Sequence, residues 1–247
     1  AANNNVSALI FVPSMFAPFV EYLKYKDSVS KLNNLKYFIL IGEALSPQLV
    51  MDFNELRTTH FSPKLVNTYG PTEATVAVSY YKCPEKNPVN RIFIGKPIFN
   101  TKLWIIDKNN HICPIGVQGE LVISGENLAR GYKNNPKQNS AKFIEIKDLE
   151  GQRIKVYRTG DLAKWDENGE LDFIGRVDNQ VKIRGYRIEL GDIETKLLQY
   201  ENVETAVVIV KKVSEGNQQL IAYVVLKENI PTETDEIKRF LKGTLPE

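Results

Sequence analysis

The segment SALIFVPSMFAPFVEYLK, residues 7–24, decides the fold class, because a short apolar run that suits a buried strand leads directly into a helix-like pattern. The same alternation follows in LKYFILI, PQLVMDFNEL and KLVNTYG, residues 35–41, 47–56 and 64–70. Strands that alternate with helices are typical of βαβ units in a largely parallel sheet. Because ligands bind at the carboxyl ends of such strands, the loop IGEALSP at residues 41–47 marks a candidate edge for a site.

The pattern changes twice farther along the chain. Between residues 76 and 176, short strands alternate with turns, which indicates a β-rich subdomain. After Asp178, the segments QVKIRGYRIEL, GDIETKLLQY, ETAVVIV, LIAYVVL and EIKRFL predict a small α+β unit. The expected fold is therefore α/β with an α+β lid. Residues 1–177 would form part of a large domain, and residues 178–247 a small mobile domain.

Composition excludes several classes of protein. The 247 residues carry 32 Lys plus Arg against 30 Asp plus Glu, which gives no argument for nucleic-acid binding. No stretch approaches the roughly 20 consecutive apolar residues of a membrane span. Cys83 and Cys113 lack the spacing of a metal site or a disulfide framework, and no secretory signal opens the chain, so a cytoplasmic location is expected. Because the chain starts abruptly in a strand and stops just past a helix, we expect it to be a piece of a longer protein.

The segment NTYGPTE, residues 67–73, admits two interpretations. A Gly-Pro turn between strands explains it without any function. Alternatively, the Glu73 carboxylate could hold Mg²⁺, Thr72 could donate to a phosphate and Tyr69 could offer its ring to a base. The spacing alone leaves both interpretations open.

Three further segments are equally ambiguous when each is taken alone. In YRTGDL, residues 157–162, Asp161 could accept both hydroxyls of a ribose or could form an Asx turn. The glycines of GELVISGENLARGY, residues 119–132, fit a loop with unusual dihedral angles. In residues 175–194, GRVDNQVKIRGYRIELGDIE, basic and apolar residues alternate, which a strand with one solvated face also gives.

The order of these segments, with IGEALSP upstream, resembles the adenylate-forming enzymes. NTYGPTE, LARGY, YRTGDLA and QVKIRGYRIELGDIE are similar to the amino-acid-activating domains of nonribosomal peptide synthetases. The resemblance implies an enzyme that uses ATP and Mg²⁺ to make an acyl-adenylate and then passes the acyl group to the phosphopantetheine of a carrier protein. A small accessory protein of the synthetase is a further candidate partner, and neither nucleic acid nor membrane is expected as one.

The resemblance also implies roles for individual residues. Thr72 and Glu73 would be catalytic, with Thr72 at the α-phosphate and Glu73 on the metal. Asn67 would contact the edge of the adenine and Tyr69 its face, while Asp161 would bind the ribose hydroxyls. The residues implied to bind the nucleotide are Asn67, Tyr69, Gly70, Thr72, Asp161, Phe173 and Arg176.

The implied pocket for the side chain of the acid is almost entirely aliphatic. Its members are Ile10, Ile39, Ile41, Thr68, Val76 and Ala77. Because an unpaired charge would be unfavourable there, we expect an apolar substrate, aliphatic or aromatic. Ile41 stands where a glycine is common, which narrows the pocket, and Asn127 also replaces a glycine that usually precedes LARGY.

Two positions concern the second half-reaction. Asp178 matches the hinge about which the small domain rotates, and Gly185 lies where the pantetheine arm passes. The phosphate loop, the catalytic lysine and the aspartate that pairs with an α-amino group are expected outside residues 1–247, so these residues alone are expected to be inactive. An α-hydroxy or α-keto acid therefore stays open as the substrate.

Two alternatives accompany the modular synthetase. A ligase that charges one free-standing carrier protein would share most of the chemistry. A degenerate homologue that only docks a carrier or partner would not need an intact site, so the retention of Glu73, Asp161 and Arg176 favours an enzyme.

Overall fold

The computed structural model describes residues 6–26, 32, 34–178, 180–214, 217–227 and 232–245. The chain divides into two compact units, Ala1–Asp178 and Asn179–Glu247. The assignment of a large-domain portion and a small mobile domain stays a prediction.

The larger unit begins with a sheet and two helices in the order that the sequence predicts. These elements are β1 (Ala8–Phe11), α1 (Pro13–Lys26), β2 (Tyr37–Ile41), α2 (Pro47–Asn54) and β3 (Lys64–Tyr69). The three strands pair in parallel in chain order. The sheet then continues, antiparallel, through β4 (Ser79–Lys82) and β5 (Lys96–Pro97), so the expected α/β class is confirmed.

The start of α2 follows from its sequence. The Ser46 hydroxyl accepts a hydrogen bond from the Leu49 amide at 3.2 Å, and Pro47 occupies the first turn. A hydroxyl at this position satisfies an amide that has no partner within the helix, while the fixed φ of proline suits the first turn. The cap therefore ends the loop after β2 and fixes where the helix begins.

An aromatic cluster forms the core on one face of this sheet. Phe38 of β2 lies 5.2 Å from Phe16 of α1 and 5.3 Å from Phe53 of α2, measured between ring centroids. Since side chains alternate along a strand, Phe38 and Leu40 face this core while Ile39 and Ile41 face the opposite side. The opposite face of the same strands therefore does not contribute to the aromatic core and could contact a ligand.

The rest of the larger unit is β-rich, as the sequence predicts, and forms a second sheet. Its elements are β6 (Thr101–Ile106), β7 (Gly119–Gly125), α3 (Pro136–Lys142), β8 (Phe143–Lys147), β9 (Arg153–Trp165) and β10 (Leu171–Arg176). The strand order is β10-β9-β7-β6, β8 also pairs with β9, and all pairs are antiparallel. Helix α3 could not be predicted from the sequence, because none of its residues is buried and it therefore has no apolar periodicity.

In its described residues, the smaller unit combines two hairpins with two helices. Its elements are β11 (Gln180–Ile183), β12 (Tyr186–Glu189), α4 (Leu190–Leu198), β13 (Val203–Ser214), β14 (Asn217–Leu226) and α5 (Thr234–Thr244). Ile193, Leu197 and Tyr200 pack into one cluster, as their helical spacing predicts. Among the described residues, no helix is both long and apolar enough to span a membrane.

Replacing the central core ring tests this packing. Phe38 is fully buried, whereas its neighbour Tyr37 is 46% exposed on the other face. We expect Phe38→Ala to lower the free energy of unfolding by about 3–5 kcal/mol, because it removes a buried ring and leaves a cavity. Tyr37→Ala is the matched control and should cost less than about 1 kcal/mol. Equal losses for both variants in urea unfolding would contradict the assigned core.

Candidate active site

A tight loop follows the carboxyl end of β3. Tyr69 ends the strand, and Thr72–Ala74 form a 3₁₀ turn. Thr75 and Val76 both adopt left-handed backbone conformations, with φ of 56° and 71°, and the Val78 amide then returns to the Tyr69 carbonyl at 2.7 Å. Residues with a Cβ seldom adopt this conformation, so the loop must be held by its surroundings.

Gly70 allows this loop to fold back on the strand. A Cβ built at Gly70 would lie 2.3 Å from the carbonyl oxygen of Val76 and 2.9 Å from the Cα of Ala77. Real Cβ contacts do not reach such distances, so glycine is required at this close approach. Gly70, predicted from the sequence to lie in the nucleotide site, lies against Val76 and Ala77 of the loop that carries Thr72 and Glu73.

Asp161 of β9 lies at the centre of a buried polar network. It is 6% exposed, and its carboxylate accepts hydrogen bonds from the Tyr69 hydroxyl and, at 2.6 Å, from Nη1 of Arg176. Arg176 also donates to Asp178, through Nε at 2.6 Å and Nη2 at 2.8 Å. The structure thus brings together Asp161 and Arg176, which are predicted beside the ribose, and Asp178, the predicted hinge, which ends the larger unit.

The hydroxyl of Tyr69 is a donor in this network. Burial, reinforced by the neighbouring charge of Asp161, holds the pKa of Tyr69 well above its ordinary value. The phenol therefore stays protonated and keeps the Asp161 carboxylate oriented.

The residues expected at the adenine differ in accessibility. Tyr69 is only 8% exposed and packs into the core of the second sheet, whereas the Phe173 ring on β10 is 37% exposed. The Asn67 side chain is also buried and donates to the Phe93 carbonyl at 2.8 Å. Phe173 therefore offers more ring surface to a base than Tyr69 does.

Glu73 is held by Ala129 and Tyr132, which lie far from it in the sequence. The carboxylate is buried, at 9% exposure, and accepts a hydrogen bond from the hydroxyl of Tyr132. The Ala129 amide donates to the Glu73 carbonyl at 2.8 Å. Tyr132 belongs to the segment LARGY, but no sequence periodicity links residues 59 positions apart. Burial, and to a lesser extent the hydrogen bond to Glu73, raises the pKa of Tyr132. The phenol therefore stays protonated, and its hydroxyl is the donor to the Glu73 carboxylate.

The two acidic residues are connected to the same strand. Asp161 lies on β9, and the hydroxyl of Tyr132 lies 3.4 Å from that of Tyr157, also on β9. Tyr69, at the end of β3, contacts Asp161, and Glu73 follows in the next loop. Glu73 and Asp161 therefore lie where the carboxyl end of β3 meets β9.

Four of the predicted pocket residues share one face of the parallel sheet. Ile10 pairs with Ile39, and Ile41 pairs with Thr68, so these side chains point to the side away from the aromatic core. The Thr68 hydroxyl donates to the Leu40 carbonyl at 2.9 Å. The polar side chain among the predicted pocket residues therefore already has an acceptor. Val76 and Ala77 lie in the loop beyond β3, and Val76 is exposed.

The donor set fits Mg²⁺ as it is usually held beside nucleotides. Within the described ranges, no group of three or more His, Cys, Asp or Glu side chains could enclose a metal ion. Magnesium at phosphate sites is commonly held by one or two carboxylates together with substrate oxygens, and it keeps several waters. A single carboxylate at Glu73 matches this arrangement.

Gly185, predicted for the pantetheine passage, lies in the turn between β11 and β12. Arg184 and Gly185 have φ of 52° and 80°, which divides the strand-like segment 180–190 into a hairpin. The described structure of the smaller unit thus places Gly185 at a hairpin tip.

Comparisons with known proteins agree on one family. The AMP-binding enzyme model matches residues 1–133. The chain is 40% identical over 240 residues to tyrocidine synthase 2 of Brevibacillus parabrevis, and the match covers 97% of this chain and 6% of that protein. It is 39% identical over 246 residues to zwittermicin A synthase ZmaJ of Bacillus cereus, covering 99% of this chain and 46% of that protein.

A solved structure shows the same architecture. Holo-PA1221, an NRPS protein containing adenylation and PCP domains, superposes with a TM-score of 0.80 at 29% identity, covering 98% of this chain and 40% of that chain. The present chain therefore spans less than half the length of each of these proteins.

The close approach at Gly70 gives a direct test of the loop. We expect Gly70→Ala to lower the free energy of unfolding by about 1–3 kcal/mol, because the new methyl group overlaps backbone atoms that cannot move independently. Gly191→Ala is the control, since nothing lies within 4 Å of a Cβ at that position. If chemical denaturation shows Gly70→Ala to be as stable as wild type, the close approach is wrong.

Proposed function

Because the chain belongs to the AMP-binding enzyme family, we propose that it carries the nucleotide and side-chain sites of an adenylation domain in a nonribosomal peptide synthetase. The domain would activate an apolar amino acid, or a related carboxylic acid, as its acyl-adenylate. It would then transfer the acyl group to the phosphopantetheine of a carrier protein. The observation that carries the proposal is the placement of Glu73 and Asp161 at one junction between β3 and β9.

The proposed first step is a substitution at the α-phosphorus of ATP. An oxygen of the substrate carboxylate bonds to phosphorus, the bond to the bridging oxygen breaks, and pyrophosphate leaves with the electron pair. Such steps depend mainly on positioning and on charge stabilisation. Thr72 would donate to an α-phosphate oxygen, and Glu73 would hold Mg²⁺, which supplies charge neutralisation at the phosphates.

Asp161 would fix the ribose. Tyr69 and Arg176 hold its carboxylate in one orientation, and a carboxylate can accept hydrogen bonds from two adjacent hydroxyls. Arg176 lies beside the same group and provides a positive charge close to the nucleotide. Phe173 would contribute an exposed ring and Asn67 an amide near the adenine.

The apolar face formed by Ile10, Ile39, Ile41 and Thr68 supports an apolar acid. None of these side chains carries a charge, and the Thr68 hydroxyl already donates to the backbone. If the substrate carried a charged side chain, burying that charge in such a pocket without a partner would cost on the order of several kcal/mol. Discrimination between neighbouring aliphatic acids is weaker, about 1–3 kcal/mol for one methylene.

The second half-reaction involves the smaller unit in this proposal. Asp178 would act as the hinge, and the hairpin tip at Gly185 would let the pantetheine arm pass. PA1221, which contains adenylation and PCP domains, supports a carrier protein as the partner. The phosphate loop and catalytic lysine would come from sequence that flanks residues 1–247.

ATP–pyrophosphate exchange tests the proposed activity. With native flanking sequence present, we expect exchange that depends on an apolar acid such as leucine, valine or phenylalanine. Aspartate and lysine should be poorer by at least about 100-fold in kcat/KM, because their charges would be buried without partners. Asp161→Asn, which keeps the shape of the side chain, serves as the inactive control.

Two results would argue against the proposal. Exchange only with long-chain fatty acids would place the protein among acyl-CoA-type ligases. Equal exchange with charged and apolar amino acids would show that the aliphatic face does not form the pocket.

A substitution at Gly185 separates the two half-reactions. We expect Gly185→Asn to leave pyrophosphate exchange within about twofold, because asparagine tolerates the left-handed conformation. Loading of a holo carrier protein with radiolabelled acid should fall by about tenfold or more, since the side chain would obstruct the arm. Gly169→Asn is the matched control: Gly169 also has a positive φ, 71°, and open space around its Cβ position. If Gly185→Asn lowered both half-reactions equally, the proposed passage of the pantetheine arm at Gly185 would be wrong.

A further inference from the structure

Tyr132 contacts the proposed metal ligand from a distant part of the chain. Its hydroxyl donates to Oε1 of Glu73, and its ring meets Phe143 edge-on, with centroids 5.8 Å apart. A carboxylate accepts hydrogen bonds or cation contacts at several lone-pair positions, so one donor can set the plane of the group.

The main chain of Tyr132 is fixed independently of Glu73. The Asn139 side chain of α3 accepts from the Tyr132 amide at 2.6 Å and donates to its carbonyl at 2.9 Å. Gly131 permits this approach, since a Cβ there would lie 2.7 Å from Oδ1 of Asn139. The hydroxyl is therefore presented from a backbone that is anchored at both its amide and its carbonyl.

The loop that carries Glu73 is tied to the same segment. The Thr75 hydroxyl donates to the Asn127 carbonyl at 2.7 Å, and Nδ2 of Asn127 donates to the Ala74 carbonyl at 3.2 Å. With the bond from the Ala129 amide to Glu73, these contacts fix the backbone on both sides of the carboxylate. What the backbone contacts leave undetermined is the rotation of the Glu73 side chain, and Tyr132 restrains that rotation.

We infer that Tyr132 is a positioning residue whose hydroxyl holds the Glu73 carboxylate in the orientation that ligates the Mg²⁺ of the bound nucleotide. The inference rests on the proposed function and deepens it. A neutral phenol suits this role because it orients the carboxylate without cancelling its charge, as a lysine or arginine would. Groups that orient metal ligands in this way typically affect metal affinity by about 10–100-fold.

The decisive variant is Tyr132→Phe in the full-length protein. It retains the ring against Phe143 and removes the hydroxyl that donates to Glu73 and lies 3.4 Å from the Tyr157 hydroxyl. We expect the Kd for Mn²⁺, measured by EPR in the presence of an ATP analogue with an α,β-methylene bridge, to rise by about 10–100-fold. Affinity for the analogue without metal should stay within about twofold, because the nucleotide contacts at Asp161 are unchanged.

Tyr200→Phe provides a matched control. Tyr200 also pairs with a glutamate, at 3.5 Å from Glu236, and also meets a phenylalanine edge-on, with centroids 5.2 Å from Phe240. It lies in the smaller unit and has no proposed role at the metal. We expect this variant to leave Mn²⁺ affinity unchanged, so a similar change in both variants would indicate a general effect of losing a hydroxyl.

Three results would overturn the inference. A folded Tyr132→Phe with wild-type Mn²⁺ affinity would show that the hydroxyl does not position the ligand. Failure of Tyr132→Phe to fold would assign the hydroxyl to structure instead. If the wild-type protein shows neither metal-dependent nucleotide binding nor pyrophosphate exchange, the proposed function itself fails and the inference fails with it. Normal wild-type exchange together with an unaffected variant would overturn only the role of Tyr132.

Discussion

The buried carboxylate of Asp161 is the constraint on which the arrangement of the larger unit depends. A charge at 6% exposure is unfavourable unless hydrogen bonds and an opposite charge compensate for it. The compensating groups come from separate elements, the hydroxyl of Tyr69 at the end of β3 and the guanidinium of Arg176 on β10. One side chain thus joins the parallel sheet to the β-rich sheet at the edge where the nucleotide is proposed to bind.

Alternation along the strands links stability to the proposed pocket. Phe38 and Leu40 of β2 complete the aromatic core, while Ile39 and Ile41 of the same strand form the opposite apolar face. A shift of one residue in the pairing of β2 would exchange these faces. The register that maximises core burial therefore also presents the side chains that would meet the acid.

The sequence predicted the features that have a local signal. Apolar runs and the Ser46-Pro47 cap mark the α/β elements, and the NTYGPTE and YRTGDL segments contain the groups that meet in the structure. It could not predict α3, which buries no side chain, or the contact of Tyr132 with Glu73, which joins residues 59 positions apart. It also could not show that the Tyr69 ring is covered, because exposure depends on the second sheet.

Strain and support occur together beside Glu73. Two consecutive residues without glycine's freedom, Thr75 and Val76, adopt left-handed conformations, each of which costs about 1–3 kcal/mol. Asn127 stands where the resemblance predicts glycine. Its side-chain amide donates to the Ala74 carbonyl, and its main-chain carbonyl accepts from the Thr75 hydroxyl. A glycine would lack the side-chain amide that donates to the Ala74 carbonyl. The replacement is thus explained by the loop it supports, and that support keeps the backbone of Glu73 in place while its side chain meets Tyr132.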